Sequence, residues 1–271
     1  MAEQLRGLLF DFDDTLVDWS GVRLRWRDIE SACLSRVREY VDDKTHADWL
    51  NTDSLLEVYL QRTRAAWADA RLSLRAPHMP SILMGALESL GVAVERLDAE
   101  EVIRAYDWNV VPGTVVFPDV PPALKMLRDQ GLKLGIVTNA SQPMSMRDAE
   151  LATHGLLDFF PDCRLSAADV GYLKPHARIF NCALECLGTA PTETVFIGDN
   201  PDADIAGANA IGMRTVLRLN GGADQDGAEL LRGATPATTK DRLDDQRSLQ
   251  SLRELPAILD EWYPGWRNGG A

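Results

Sequence analysis

Cysteine is scarce: Cys33, Cys163, Cys182 and Cys186 are the only four in 271 residues. They are scattered, lack C-x-x-C spacing and follow no evident secretory leader, so a reduced, cytoplasmic compartment is expected. Cys182 and Cys186 stand one helical turn apart, which suits two small core residues on one helix face better than a soft-metal pair. Positive charge is also short. Lys and Arg number 28 against 41 Asp and Glu, for a net charge of −13. Phosphate backbones and anionic lipids attract positive fields, so a general nucleic-acid or membrane-surface binder is not expected. No run approaches the ~18 apolar residues that a transmembrane helix needs. What remains is an ordinary globular composition, 45% hydrophobic and 25% charged, long enough for one large or two modest cores.

Beyond residue 112, short apolar runs alternate with amphipathic stretches. Lys133–Thr138, Thr194–Gly198 and Arg214–Leu219 read as buried parallel strands. Helical patterns fall between them at about 119–130, 143–154, 176–187 and 201–210, with Gly131, Gly155, Gly188 and Gly212 as C-terminal stops. This alternation predicts an α/β fold, a doubly wound parallel sheet, with ligands beyond the carboxyl ends of its strands. A first strand at about 6–12 fits the pattern, yet its next partner starts only near 133, too far for an ordinary crossover. Residues 18–109 are therefore expected as an insertion, with 1–17 and 110–271 forming the core. The insertion reads as a helical bundle: Val22 to Val41 and Leu55 to Ala70 follow 3–4 spacing, the latter behind a possible capping box at Ser54-x-x-Glu57. Shorter helices fit 81–90 and 98–108. Five of the seven tryptophans lie here (Trp19, Trp26, Trp49, Trp67, Trp108), most expected in the bundle core and one or two facing a pocket. Residues 220–247 read as a long polar loop, and Leu249–Trp262 as a final helix.

The chemistry gathers at strand ends. Asp11-Phe-Asp-Asp-Thr-Leu16 follows the run Gly7–Phe10 and places two carboxylates two residues apart where a buried strand runs out. Alone, such acids serve equally well in an Asx turn or a helix cap. Buried charge, however, needs a partner, and a cation would serve. Thr138-Asn139 ends a second strand, where a hydroxyl and helix-opening amides suit an anionic oxygen. Lys174-Pro175 precedes a helix and offers an ammonium to phosphate. Gly198-Asp199-Asn200-Pro-Asp-Ala-Asp204 ends a further strand, and Asp199 with Asp11 and Asp13 offers the clustered oxygens that Mg²⁺ prefers. Each segment has a bland explanation as a cap or a solvated surface. The combination, in this order on one parallel sheet, does not.

These motifs closely resemble the haloacid dehalogenase superfamily: Asp11-Phe-Asp-Asp-Thr-Leu-Val17, Val137-Thr-Asn139, Lys174-Pro175 and Gly198-Asp-Asn-Pro-Asp-Ala-Asp204. The resemblance implies a Rossmann-like core with its first strand at the sheet centre, beside the strands carrying Thr138 and Asp199, and a helical cap formed by the insertion. It further implies a phosphatase acting on a small phosphorylated metabolite. Asp11 would be the nucleophile and Asp13 the general acid and base. Asp11, the Asp13 carbonyl and Asp199 would hold Mg²⁺. Thr138, with Asn139 and adjacent amides, would hold phosphate, and Lys174 would neutralise nucleophile and phosphate together. Asn200 would stand behind these groups, and Asp204 would orient Lys174 or a metal-bound water. As general acid, Asp13 must carry a proton near neutral pH, above its ~3.9 reference, with neighbouring carboxylates and desolvation expected to push that way.

Three rivals share part of the pattern. A metal-independent 2-haloacid dehalogenase of the same superfamily lacks an acid two residues after its nucleophile, so Asp13 favours the phosphatase. A phosphomutase needs a cap that recaptures a phosphorylated sugar, and no such signature stands out. A non-catalytic phosphoacceptor or binding module is disfavoured by the intact motif set and by chain order. Substrate choice is expected to lie in the cap, with Arg23, Arg25, Arg27, Arg62 and Arg64 as candidates that also suit solvated helix faces. Phosphoglycolate, a sugar phosphate or a nucleoside monophosphate would each fit. No nucleic acid or membrane partner is expected, and the sequence sets no oligomeric state.

Overall fold

The structure of the chain, a computed structural model, describes residues 4–219 and 247–268. The expected loop at 220–247 lies, apart from Arg247, outside the described residues. In chain order the strands are β1 (Gly7–Phe10), β2 (Val17–Asp18), β3 (Val115–Val116), β4 (Lys133–Thr138), β5 (Cys163–Ser166), β6 (Thr194–Gly198), β7 (Arg214–Arg218) and β8 (Ser248–Leu249). Six form one sheet in the order β5-β4-β1-β6-β7-β8, every pair parallel. As expected, β1 is central, between the strand that ends in Thr138 and the strand that precedes Asp199. The chain order of β1, β4 and β6 brings the motifs of the sequence to one edge of the sheet. Strands β5 and β8, unforeseen in the sequence, extend the sheet on either side.

The central strands form because they can bury both faces. All of β1 and β6 is buried. Leu8 and Phe10 enter one hydrophobic cluster while Leu9, between them, enters the other, as the two-residue period of a strand requires. The helices α5 (Val120–Asp129), α6 (Met144–Thr153), α7 (Ala167–Val170), α8 (Ala177–Leu187), α9 (Gly207–Asn209) and α10 (Leu255–Trp262) belong to this part of the chain. The helix expected over 201–210 begins as a π-turn at Pro201–Ala206 and passes into the short α9. The final helix starts later than expected, because Ser248–Leu249 joins the sheet edge before the chain turns into α10.

Between β2 and β3 stand four helices: α1 (Trp26–Thr45), α2 (Thr52–Ser73), α3 (Met79–Ser89) and α4 (Ala99–Tyr106). α1 packs on α2 and α4, and α2 on α3. The start of α2 differs from the Ser54-x-x-Glu57 expectation. Asn51 is its cap, the Asn51 side chain accepting from the Ser54 amide at 2.8 Å. An Asx oxygen satisfies an otherwise orphaned N–H one turn earlier than the serine would. The two connections to this bundle run together, since β2 pairs antiparallel with β3. Just beyond, Gly21 and Gly113 cross backbone to backbone. A Cβ at Gly21 would lie 2.4 Å from the Gly113 carbonyl oxygen, and Gly113 sits at φ +101°. Only glycine meets both demands at Gly113. Among the described residues no helix is long and apolar enough to cross a membrane.

Candidate active site

Asp11 leaves β1 with its amide bonded to the Ile197 carbonyl of β6 (2.9 Å). The chain then turns tightly, Leu16 N–H donating to Phe12 O (2.9 Å) and Asp14 N–H to Val17 O (2.7 Å). Asp14 sits at φ 57° within this turn, a conformation aspartate tolerates better than most residues. The turn lifts Asp13 beside Asp11 at the mouth of a cleft. Asp11, Asp13, Thr138, Asn139, Lys174, Asp199, Asn200 and Asp204 all line that one cleft, so the site residues expected from four separate segments converge.

Lys174 organises the floor. Its ammonium donates to Asp11 Oδ1 at 2.6 Å and to the Val137 carbonyl at 2.9 Å, and pairs with Asp204 Oδ1 at 2.7 Å. Burial disfavours its charge, but Asp11 and Asp204 outweigh that and raise its pKa above the ordinary lysine value. Asn139 positions this lysine: its side chain accepts from the Lys174 amide (2.8 Å) and donates to the Lys174 carbonyl (3.1 Å). Asn200 is likewise spent on the backbone, accepting from Asp202 and Ala203 amides at 3.0 and 2.9 Å. Asp204 can approach because residue 198 is glycine. A Cβ there would fall 2.3 Å from an Asp204 carboxylate oxygen.

One oxygen from each of Asp11, Asp199 and Asp204 lies within 4.8 Å of the others. Burial first, and then the neighbouring carboxylates, push Asp11 up to about 7 against the pull of Lys174, and hold Asp199 well above the usual carboxylate range. Such crowding of hard oxygen donors is what a divalent cation relieves, and the residues present fit Mg²⁺. Thr15 bridges the pair, its hydroxyl 3.3 Å from Asp11 and 3.5 Å from Asp199.

Asp13 has different company from that expected. Its side chain meets donors: the Arg147 guanidinium at 2.7 and 2.9 Å on its two oxygens, the Trp19 indole N–H at 3.0 Å and the Thr138 hydroxyl at 3.3 Å. Thr138 thus reaches the acid as well as the cleft. Arg147 is buried on α6, lies over the Phe12 ring at 4.7 Å and pairs with the buried Glu150 at 2.9 Å. Glu150 in turn accepts from the Trp108 indole at 3.2 Å. Sequence reasoning missed this network. Its signal was an Arg/Glu pair three residues apart on the same helix face as Met144 and Leu151, where a charge has to find a partner. Trp19, Trp26 and Trp108 line the upper cleft, whereas Trp67 is buried in the core and Trp49 is exposed.

Comparison with known proteins places the chain in a family. The sequence pattern of the haloacid dehalogenase-like hydrolases matches residues 5–212. The chain is 31% identical over 223 residues to a glyceraldehyde 3-phosphate phosphatase of Methanopyrus kandleri, covering 82% of this chain and 87% of that one. It is 29% identical over 252 residues to a ribulose-1,5-bisphosphate 5-phosphatase of Halopiger xanaduensis, covering 93% and 98%. Among solved structures, a 2-haloacid dehalogenase of Pseudomonas syringae pv. Tomato superposes with a TM-score of 0.60 at 26% identity, over 95% of this chain and 99% of that one. With the acids, the threonine and the lysine gathered at the carboxyl ends of β1, β4 and β6, and with this match, the chain belongs to the haloacid dehalogenase-like hydrolases.

Proposed function

We propose that the chain is a Mg²⁺-dependent phosphatase of a small phosphorylated metabolite, working through an aspartyl-phosphate. The observation that carries this reading is the pairing of two acids with separate partners, Asp11 on Lys174 and Asp13 on Arg147, Trp19 and Thr138. Asp11 attacks phosphorus, forming an Oδ–P bond as the P–O bond to the leaving alcohol breaks. Asp13 gives the departing oxygen its proton, then takes one from the water that attacks phosphorus and frees Asp11. The donors on both Asp13 oxygens suit the carboxylate that takes the proton from water. Lys174 keeps Asp11 oriented and offsets the negative charge that nucleophile and phosphate bring together. Asp11, Asp199 and the Asp13 carbonyl would hold Mg²⁺, which when bound screens the phosphate dianion from these acids.

The catalytic core in this reading comprises residues 1–17 and 110–271, and residues 18–109 form a cap that closes over the cleft in a cytoplasmic enzyme. The relatives named as phosphatases of small metabolites support it. The haloacid dehalogenase neighbour favours a second reading, metal-independent dehalogenation; Asp13 and its donors weigh against it, since displacing halide needs no acid there. Hydrolysis of p-nitrophenyl phosphate tests the choice. It is expected to need added Mg²⁺, to stop with chelator and to vanish in Asp11→Asn. Activity that survives either change contradicts the proposal, as does metal-free halide release from a haloacid.

A further inference from the structure

The cleft has two unlike halves. Its floor is ionic. Its upper wall is tryptophan: Trp19 and Trp108, both buried, and the half-buried Trp26 at the first residue of α1. The Trp26 and Trp108 rings stand 5.7 Å apart at 51°, and Trp108 is backed by Tyr106 in a stack at 6.4 Å. The indole N–H groups of Trp19 and Trp108, the polar atoms of those rings, are given to Asp13 and Glu150. What these rings offer the cleft is therefore apolar carbon, held in place by their own hydrogen bonds.

Charge in the wall points the same way. Among the described residues, the cations lining the cleft are Lys174 and Arg147. Lys174 is committed to Asp11 and Asp204, and Arg147 to Asp13 and Glu150. The arginines that the sequence offered for specificity lie elsewhere: Arg25 pairs with Asp28, Arg27 with Glu57, Arg62 donates to Ser89, and Arg23 donates to nearby backbone carbonyls. Arg64 is exposed, and none of the five lines the cleft. A second anionic group on the substrate would meet tryptophan, the Gln142 amide and the acids Asp13 and Asp14, with no uncommitted cation among the described lining residues to offset its desolvation.

We infer that the substrate is a phosphate monoester whose leaving group carries no second negative charge and is flat and largely apolar, an aryl or heteroaromatic alcohol laid against Trp26 and Trp108. This rests on the phosphatase reading and narrows it, setting aside phosphoglycolate and bisphosphates. The test compares kcat/KM with Mg²⁺ for 2-phenylethyl phosphate, ethyl phosphate, phosphoglycolate and choline phosphate. Their leaving groups are all primary alcohols, so the ratios report the wall more than intrinsic reactivity. The phenylethyl ester is expected to lead the others by about tenfold or more, the scale set by burying one ring. Trp26→Ala should cut the phenylethyl-to-ethyl ratio by about tenfold, and Trp26→Phe should keep most of it. Preference for phosphoglycolate or choline phosphate overturns the inference, and so does a ratio indifferent to Trp26→Ala. If no phosphate ester is hydrolysed at all, the phosphatase reading itself fails, and this inference falls with it.

Discussion

Asp13 is gripped by Arg147, and Arg147 by Glu150, so the part-exposed Asp13 of the cleft is tied to two ionisable groups from which water is almost excluded. Ion pairs of this kind contribute little net stability, yet removing one member strands the others. Arg147→Met is expected to cost about 3–5 kcal/mol by that argument, measured by urea unfolding. Adding Glu150→Gln should recover part of the loss, leaving the double variant at least about 1 kcal/mol more stable than the sum of the single effects predicts. Strict additivity would mean that the network is not coupled. The contrast with Asp11 is instructive at the same scale. Asp11, Thr138 and Asp199 were legible because each ends or follows a buried apolar run, where a polar side chain needs a reason, and Lys174 because it stands before the proline that precedes a helix. Arg147 was hidden among Ser145, Asp148 and Glu150, which together read as a solvated helix face until the packing of α6 against the site is known.

The inserted helices carry their own buried charge. Glu30 of α1 accepts from the Tyr106 hydroxyl of α4, and burial pushes its carboxyl from 4.5 up to about 7, against the hydrogen bonds of Tyr106 and Trp26. The folded protein then holds a proton that the unfolded chain surrenders above 4.5. Stability from this group is full below 4.5, falls as pH rises from 4.5 to about 7, and is flat beyond. Glu30→Gln keeps an acceptor for Tyr106 and removes the slope. The variant should match the parent near pH 4 and exceed it by at most roughly 3 kcal/mol at pH 8, read from denaturation at a series of pH values. Parallel curves would contradict the assignment. Element types followed the sequence wherever periodicity was strong, as in β1, β4, β6, α1 and α2. Strand β5 escaped because only its two end residues are buried, and β8 because two residues carry no pattern. The π-turn at Pro201–Ala206, which holds Asp204 against Gly198, was unreadable because six residues carry no period that separates it from an α-helix.

Across the whole molecule, the helical insertion and the core meet around the site. Leu173 N–H, one residue before Lys174, donates to the Leu74 carbonyl just past α2 (2.9 Å), and Met79 N–H of α3 donates to the Ser141 carbonyl beyond β4 (2.8 Å). The Gly21–Gly113 crossing fixes the other side of the connection. The two loops that deliver Lys174 and Thr138 are thus tied to α2 and α3, and α2 packs on α1, which carries Trp26. The central claim, that Asp11 is the atom donor to phosphorus, has a direct measurement. Turnover of an aryl phosphate with Mg²⁺ is quenched in acid, and the peptides are read by mass spectrometry. The account predicts phosphate on the peptide carrying Asp11, absent with chelator and absent in Asp11→Asn. Steady hydrolysis with no phosphate on that peptide, or with phosphate on another residue, would contradict it.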